Sequence, residues 1–160
     1  MNPPAPTNPP PSAPARPRAS GKFISVGSEK IYLRGVTYGP FHRAPGGGEY
    51  HDRAAVERDF AAMTAAGINS LRTYTVPPRW LLDCARRHGL WVLVGLAWEQ
   101  RNAFLHDPRA VREIFQTVRA GVRACAGHPA LLGFAIANEI PANVVRWHGH
   151  QRIERFLKKL

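Results

Sequence analysis

The sequence predicts an α/β fold of about four consecutive βα units, which would form either an open doubly wound sheet or part of a (β/α)₈ barrel. Apolar runs of strand length alternate with segments in which apolar residues recur at three- and four-residue spacing, the pattern of helices. The run over residues 90–97 has almost no polar interruption, which indicates a strand buried on both faces. Strands and helices that alternate at this spacing form parallel sheets.

A proline-rich tail precedes this domain. Residues 1–20 contain no acidic residue and almost no large apolar side chain. Such a segment cannot bury enough apolar surface to offset the entropy of ordering it, so we expect a disordered, partly polyproline-like tail. The barrel-like domain is then expected to cover residues 21–160.

The predicted elements follow one another through the domain. First comes a hairpin of residues 23–26 and 31–33, whose second arm continues as a buried strand through residues 35–38. There follow a helix from Asp52 to Gly67, a strand over residues 68–74, a helix over residues 77–89, the strand over residues 90–97, a helix that begins at Asp107 and Pro108, and a fourth strand that ends at Glu139. After a loop with Pro141, a last helix carries Ile153, Phe156, Leu157 and Leu160 on one side. Asp52 and Asp107 are good N-cap residues, and glycine commonly closes helix C-termini.

Charge and hydropathy bear on partners and location. The 22 basic and 11 acidic residues give a net charge of +11. The arginines are scattered over predicted helices and do not form a stripe with aromatic residues, so we predict no nucleic-acid partner. No segment approaches the roughly 20 apolar residues of a membrane span, and no apolar region of a secretory signal follows Met1. We therefore expect no membrane span and a cytoplasmic location.

The sequence predicts no metal site and no cofactor. Cys84 and Cys125 fall on predicted helices without metal-type spacing, which favours reduced packing residues. The spacing of metal ligands is also absent from His42, His51, His88 and His106. The segment His148, Gly149 and His150 is more typical of a polar turn before the last helix.

Two polar residues end the fourth apolar run. Asn138 and Glu139 directly follow an apolar stretch of strand length. Because the carboxyl ends of parallel strands line the face where ligands bind, Glu139 is a candidate for proton chemistry and Asn138 for binding a substrate hydroxyl. The alternatives are an exposed loop glutamate and a turn-forming asparagine bonded to the backbone.

Three strings in this chain resemble those of a known family. They are LRGVTYGPF at residues 33–41, GINSLRTY at residues 67–74 and GFAIANE at residues 133–139. Their order and spacing resemble the first half of the retaining glycoside hydrolases with a (β/α)₈ catalytic barrel, above all the family 2 and family 5 enzymes. The resemblance covers residues 23–160 and implies that the four βα units are the amino-terminal half of a TIM (β/α)₈ barrel.

The resemblance implies catalytic roles for three residues. Glu139 would act as the general acid/base, Asn138 would bind the sugar 2-hydroxyl, and Arg72 would support the nucleophile. In retaining enzymes the nucleophile is a second carboxylate about 5–5.5 Å from the acid. In the resembled enzymes it is a glutamate that ends the seventh strand, and four strands do not reach it.

The resemblance also implies sugar platforms on the loops that leave the strands. Phe41, Tyr74 and Trp98 are the aromatic residues at these positions. For Trp98, stacking on a sugar and packing in the core are equally compatible with the sequence. For Arg72, the alternative to a role in the site is an ion pair with a neighbouring carboxylate.

The predicted function is therefore part of a glycoside hydrolase that cleaves O-glycosidic bonds in a glycan or oligosaccharide. We expect a truncated or partial barrel that is inactive alone. Its two open strand edges could be satisfied by self-association or by pairing with another half barrel. The alternatives are a non-catalytic carbohydrate-binding module and a glycosidase-like part of a larger glycosyltransferase chain.

Overall fold

The computed structural model describes residues 15–41, 48–98 and 103–160. The chain divides into two compact units, residues 1–31 and 32–160. The predicted disorder of residues 1–14 lies outside the described part of the chain, and so does His42.

The first unit contains a three-stranded antiparallel sheet. Its strands are β1 (Pro17–Ser20), β2 (Phe23–Val26) and β3 (Glu29–Ile31), in that order across the sheet. The turns between them use Gly21 and Gly27, whose φ angles of 59° and 62° suit glycine. The predicted hairpin is present, but β1 lies where the sequence predicted a tail up to residue 20. The strand has no apolar pattern, and it forms because its backbone pairs with β2.

The second unit contains the predicted parallel sheet. Its strands are β4 (Gly35–Thr37), β5 (Ser70–Thr73), β6 (Trp91–Gly95) and β7 (Leu131–Ala135), and each pairs in parallel with the next along the chain. Among the described residues, β4 and β7 each pair with a single neighbour. The sheet therefore has the sequential order of a (β/α)₈ barrel and two open edges, as predicted.

The expectation that one strand continues from the hairpin into this sheet is wrong. β3 and β4 are separate strands, and Tyr32 in the segment between them is 69% exposed. The side chain of Asn69 fixes this segment, since its amide donates to the carbonyl of Tyr32 at 2.8 Å and its oxygen accepts from the backbone N–H of Arg34 at 2.8 Å. A side chain 35 residues away along the sequence therefore sets the start of β4.

In the described part of the second unit, five helices accompany the strands. They are α1 (Arg53–Ala65), α2 (Arg79–Arg87), α3 (Pro108–Cys125), α4 (Ala142–His148) and α5 (His150–Leu157), with a 3₁₀ turn at Phe104–His106. The predicted caps are confirmed, because Asp52 accepts from the N–H of Ala55 and Asp107 from that of Arg109, each at 2.8 Å. Among the described residues, no helix combines the length and the apolar character that a membrane span needs.

The segment predicted as a loop after Pro141 contains α4. Pro141 is its N-cap residue, and Val144 is fully buried. Gly149, with φ of 80°, then separates α4 from α5. The predicted polar turn is wrong for His148, which is buried at the end of α4 with its ring centroid 5.1 Å from that of Phe104.

The core lies between the sheet and its helices. Alternate strand residues such as Leu71, Val92 and Val94 are buried and belong to the same apolar cluster as Phe60 and Leu81 of the helices. The other face of the sheet is less covered. Leu93 and Leu132 there are half-buried, and they help line an open groove of about 260 Å³. This face corresponds to the apolar interior expected for part of a barrel.

Candidate active site

The carboxyl ends of the four parallel strands lie along one edge of the sheet. Backbone hydrogen bonds continue beyond the ends of the strands. The N–H of Tyr38 donates to the carbonyl of Arg72 at 2.8 Å, and the N–H of Leu96 donates to the carbonyl of Ala135 at 2.9 Å. The segments that leave β5, β6 and β7 therefore start side by side. The candidate residues predicted after these strands share the edge at which barrel enzymes bind their ligands.

Arg72 and Asn138 meet across this edge. The Arg72 Nη2 atom donates to the Asn138 Oδ1 atom at 2.5 Å, joining β5 to the segment after β7. The guanidinium carbon also lies 4.7 Å from the ring centroid of Tyr74, within reach of a cation–π interaction. The Arg72 Nε atom is buried and has no hydrogen-bond partner among the described residues. Three residues predicted separately from the sequence are thus brought together around one guanidinium.

Glu139 follows this cluster in a strained backbone conformation. Its φ angle of 40° lies in the left-handed region, and within the described ranges no other residue except glycine has a positive φ. Such a conformation costs free energy and is often found at functional sites. The residue is exposed, and it directly follows the asparagine that Arg72 holds.

Trp98 anchors the end of β6 to the segment after β7. Its indole N–H donates to the carbonyl of Ile136 at 2.7 Å. Its ring packs against those of Phe104 and Phe156, with centroid separations of 5.2 and 5.8 Å. The packing alternative is therefore observed for this half-buried tryptophan, and its role as a sugar platform stays a prediction.

Phe41 lies where the loop after β4 begins. Its ring packs against Tyr38, with a centroid separation of 4.9 Å, and against His51 at 3.9 Å. Its backbone N–H donates to the carbonyl of Glu49 at 2.9 Å. Phe41 thus borders the same edge of the sheet, but no described contact joins it to Arg72 or Asn138.

The sequence interpretation missed Tyr50. Its hydroxyl lies 3.1 Å from both the carbonyl and the hydroxyl oxygen of Thr75, which ties the loop after β4 to the loop after β5. A Cβ atom on Gly39 would lie 3.0 Å from the Tyr50 ring, and its φ of 72° also favours glycine. A tyrosine that ends a glycine-rich loop beside a predicted strand end was the signal available.

A cleft opens between these two loops. It has a volume of about 470 Å³, and its lining is Gly48, Glu49, Tyr50, Val76, Pro77, Pro78 and Trp80. The guanidinium of Arg53 lies 5.4 Å from the ring centroid of Trp80. The cleft combines flat apolar surfaces with a polar rim, which suits a ligand with both apolar and hydroxyl faces.

The fold and its strand edge define the class of protein: part of a (β/α)₈ barrel of the glycosidase type. The chain belongs to the glycosyl hydrolases of family 2, whose TIM barrel domain matches residues 18–160. The resemblance predicted from residues 33–41, 67–74 and 133–139 is therefore confirmed at the level of the family.

Known proteins are similar to this chain in sequence or in fold. The chain is 25% identical over 124 residues to the 1,3-beta-glucanosyltransferase GAS5 of Saccharomyces cerevisiae (strain ATCC 204508 / S288c), which covers 74% of this chain and 26% of that protein. In fold it is similar to a β-glucuronidase from Ruminococcus gnavus, with a TM-score of 0.71, 17% identity, and coverage of 91% of this chain and 24% of that one. It is also similar to a Lactobacillus rhamnosus β-glucuronidase, with a TM-score of 0.66, 22% identity, and coverage of 91% and 25%. The chain thus spans about a quarter of the length of these proteins.

Proposed function

We propose that this chain supplies the acid/base half of a glycosidase active site, which acts on O-glycosidic bonds of a glycan with Glu139 as general acid/base. The observation that carries the proposal is the bond from Arg72 to Asn138, immediately before Glu139, at the carboxyl edge of a family 2 barrel sheet. The substrate class is inferred from the family alone.

The chemistry needs an acid on one side of the sugar and a carboxylate on the other. Glu139 would protonate the departing oxygen, and the second carboxylate would attack the anomeric carbon from the opposite face. A buried donor without a partner costs about 1–3 kcal/mol, so the Nε atom of Arg72 favours the approach of an acceptor. We infer that the acceptor is the nucleophilic carboxylate, which the carboxyl-terminal half of a complete barrel would supply.

Arg72 would also orient Asn138 for substrate binding. Because the guanidinium takes the oxygen of the Asn138 amide, the NH₂ group is the end that can donate to a sugar hydroxyl. The same bond fixes the residue that precedes Glu139, so one arginine would position both a binding group and the acid.

Aromatic surfaces along the edge would hold the sugar rings. Tyr74 is 37% exposed beside Arg72, and Phe41 and Trp98 are half-buried at the neighbouring strand ends. The cleft beside Trp80 would accept further units of an oligosaccharide, because tryptophan and proline present flat apolar surfaces to sugar rings.

Transfer of a glycosyl group is the second candidate activity. It is favoured by the similarity to the 1,3-beta-glucanosyltransferase GAS5. Both activities share the first half-reaction, and they differ in whether water or a sugar hydroxyl receives the glycosyl group. Product analysis with an added oligosaccharide acceptor separates the two outcomes.

The test joins this chain to the carboxyl-terminal half of a family 2 barrel domain and measures sugar release from glycosides with poor leaving groups, whose departure needs protonation. We expect Glu139→Gln to abolish release and the matched control Glu113→Gln, an exposed glutamate on α3, to retain it. Equal rates in the parent and Glu139→Gln would refute the catalytic role. Glycan binding without release in the parent would favour the non-catalytic module.

A further inference from the structure

Three side chains with metal-binding atoms meet on the helices, outside the site described above. They are Glu57 on α1, Cys84 on α2 and His88, which follows the last residue of α2. The Glu57 Oε2 atom lies 2.6 Å from the His88 Nε2 atom, and the ligand atoms of all three residues lie within 4.8 Å of one another. Cys84 and His88 are four residues apart, so one turn of helix presents both on the side where α1 packs.

We propose that Glu57, Cys84 and His88 bind one Zn²⁺ ion, with a water molecule as the fourth ligand. Zn²⁺ is a borderline-soft ion that accepts thiolate, imidazole and carboxylate ligands in tetrahedral geometry, at 2.0–2.3 Å. With these bond lengths, neighbouring ligand atoms are roughly 3.3–3.7 Å apart. The contact between Glu57 and His88 would widen and Cys84 would move closer, and rotation of side chains supplies such shifts.

The surroundings already orient the carboxylate. Arg87 donates to the Glu57 Oε1 atom, which leaves the Oε2 atom directed to His88. Partners of this outer kind hold metal ligands in place and are part of most metal sites. The hydroxyl of Thr64 on α1 also donates to the carbonyl of His88 at 3.2 Å, which fixes the backbone that carries the imidazole.

Burial gives the three ligands an inner and an outer side. Cys84 is 1% exposed, whereas the side chains of Glu57 and His88 are 38% and 23% exposed. An ion can therefore arrive from solvent past the carboxylate and the imidazole and meet the sulfur at the back of the site. A thiolate with a carboxylate also balances the two charges of Zn²⁺.

Binding exchanges protons in a defined way. The Zn–S bond forms as the S–H bond of Cys84 breaks, and this proton passes to solvent. The His88 ring would bind the ion through Nε2 as the tautomer that carries its proton on Nδ1; a proton on Nε2 passes to solvent, and Nδ1 takes one up from solvent where it lacks one. The guanidinium of Arg87 donates to Glu57 and favours its carboxylate form, which is the form that binds a metal ion.

The test is a Co²⁺ titration of the metal-free, reduced 160-residue chain, because thiolate ligation gives Co²⁺ a charge-transfer absorption. We expect a band that saturates at one equivalent and that Zn²⁺ displaces. Cys84→Ala should remove the band, and His88→Gln and Glu57→Gln should weaken binding by at least the roughly 10- to 100-fold typical of outer-shell losses. The matched controls Cys125→Ala, the other buried free cysteine, and His150→Gln, an exposed histidine, should keep the parent band.

In the titration, three results would overturn the proposal: no saturating band in the parent, a band that survives Cys84→Ala, or equal losses in the controls. Cys84 is buried, so its variant could fail to fold; the half-exposed Glu57 and His88 provide independent variants. A second measurement uses these variants: Zn²⁺ should raise the unfolding temperature of the parent and of Cys125→Ala, but not that of His88→Gln or Glu57→Gln. A shift of the same size in His88→Gln would also refute the site.

Discussion

The Arg72 guanidinium donates to the side-chain oxygen of Asn138 across the carboxyl edge of the parallel sheet, at 2.5 Å. The two residues are 66 positions apart, and β6 lies between the strands that carry them. The bond therefore joins the ends of two strands that share no ladder. It also holds the residue before Glu139, whose backbone is strained, so this bond links the packing of the sheet to the candidate acid.

Substitutions of Asn138 should separate stability from binding. Asn138→Ala removes the acceptor of the Arg72 Nη2 atom at the exposed edge of the sheet and should lower the free energy of unfolding by about 0.5–1.5 kcal/mol. Asn138→Asp keeps an acceptor for Arg72 and should retain the parent stability, but it removes the NH₂ donor proposed to bind the sugar. Urea unfolding of the chain measures the first effect, and substrate affinity of the completed barrel the second. Equal losses of stability in both variants would contradict this account.

The variant Glu139→Gly should have a higher free energy of unfolding than the variant Glu139→Ala. At ordinary positions alanine stabilises relative to glycine by about 0.4–1 kcal/mol, because glycine has the more flexible unfolded chain. The φ angle of 40° at Glu139 reverses this order, since the left-handed region costs a residue with a Cβ atom about 1–2 kcal/mol. Urea unfolding of Glu139→Gly and Glu139→Ala measures the difference. Greater stability of the alanine variant would show that the backbone is unstrained here.

The leaving group should reveal whether Glu139 is an acid. In the completed barrel, Glu139→Ala should slow the cleavage of glycosides with poor leaving groups far more than that of activated aryl glycosides, because the latter depart without protonation. General acid catalysis contributes about 10²- to 10⁴-fold, which bounds the expected loss on poor leaving groups. A uniform loss over the whole substrate series would indicate a role in binding or folding instead.

Apolar runs predicted the parallel sheet well because strands buried on both faces have little freedom of composition. The strands β5, β6 and β7 fall inside the predicted runs. The missed strand β1 consists of Pro, Arg, Ala and Ser, and only its pairing partner makes it a strand. The missed helix α4 is short, and the burial of Val144 that stabilises it depends on tertiary packing.

In the candidate site too, local sequence patterns predicted some features, whereas others depend on tertiary packing. Strand ends identified Arg72 and Asn138 as neighbours of one edge, but their bond depends on a register that the sequence does not encode locally. Tyr50 acts through a hydroxyl that reaches a different loop, so no local pattern could assign it. The ligand atoms of Glu57, Cys84 and His88 come from α1 and α2, and their grouping appears only when these helices pack.

Tyr38 should make the protein sensitive to alkali. Burial, and then the hydrogen bond from its hydroxyl to Asp59 at 2.7 Å, raise its pKa above the ordinary value of 10.0. A phenol with a raised folded pKa stabilises the fold below the unfolded pKa, and this contribution is lost as the pH rises, since the unfolded chain ionises first. Stability should therefore fall above about pH 10. In Tyr38→Phe the fall should be smaller, whereas the exposed control Tyr32→Phe should behave like the parent.

The hydrogen bond between His128 and Asp83 should make the stability of the fold depend on pH in the acidic range. The His128 Nδ1 atom accepts from the backbone N–H of Ala130 at 3.1 Å, so the Nε2 atom carries the proton and donates to the Asp83 Oδ1 atom at 3.0 Å. This hydrogen bond is the main cause that lowers the pKa of Asp83 below its ordinary value of 3.8. A carboxylate with a depressed folded pKa stabilises the fold above the unfolded pKa, and the contribution disappears as the pH falls through the folded value.

Stability of the parent should accordingly decrease below about pH 4, and Asp83→Asn should show a shallower decrease because its amide does not titrate there. Unfolding by urea at a series of pH values from about 2 to 6 measures both slopes. The control is Glu113→Gln, since it removes an exposed carboxylate without a described partner from the same helical layer. If the parent and Asp83→Asn lost stability in parallel, the hydrogen bond from His128 would not favour the ionised carboxylate in the folded chain.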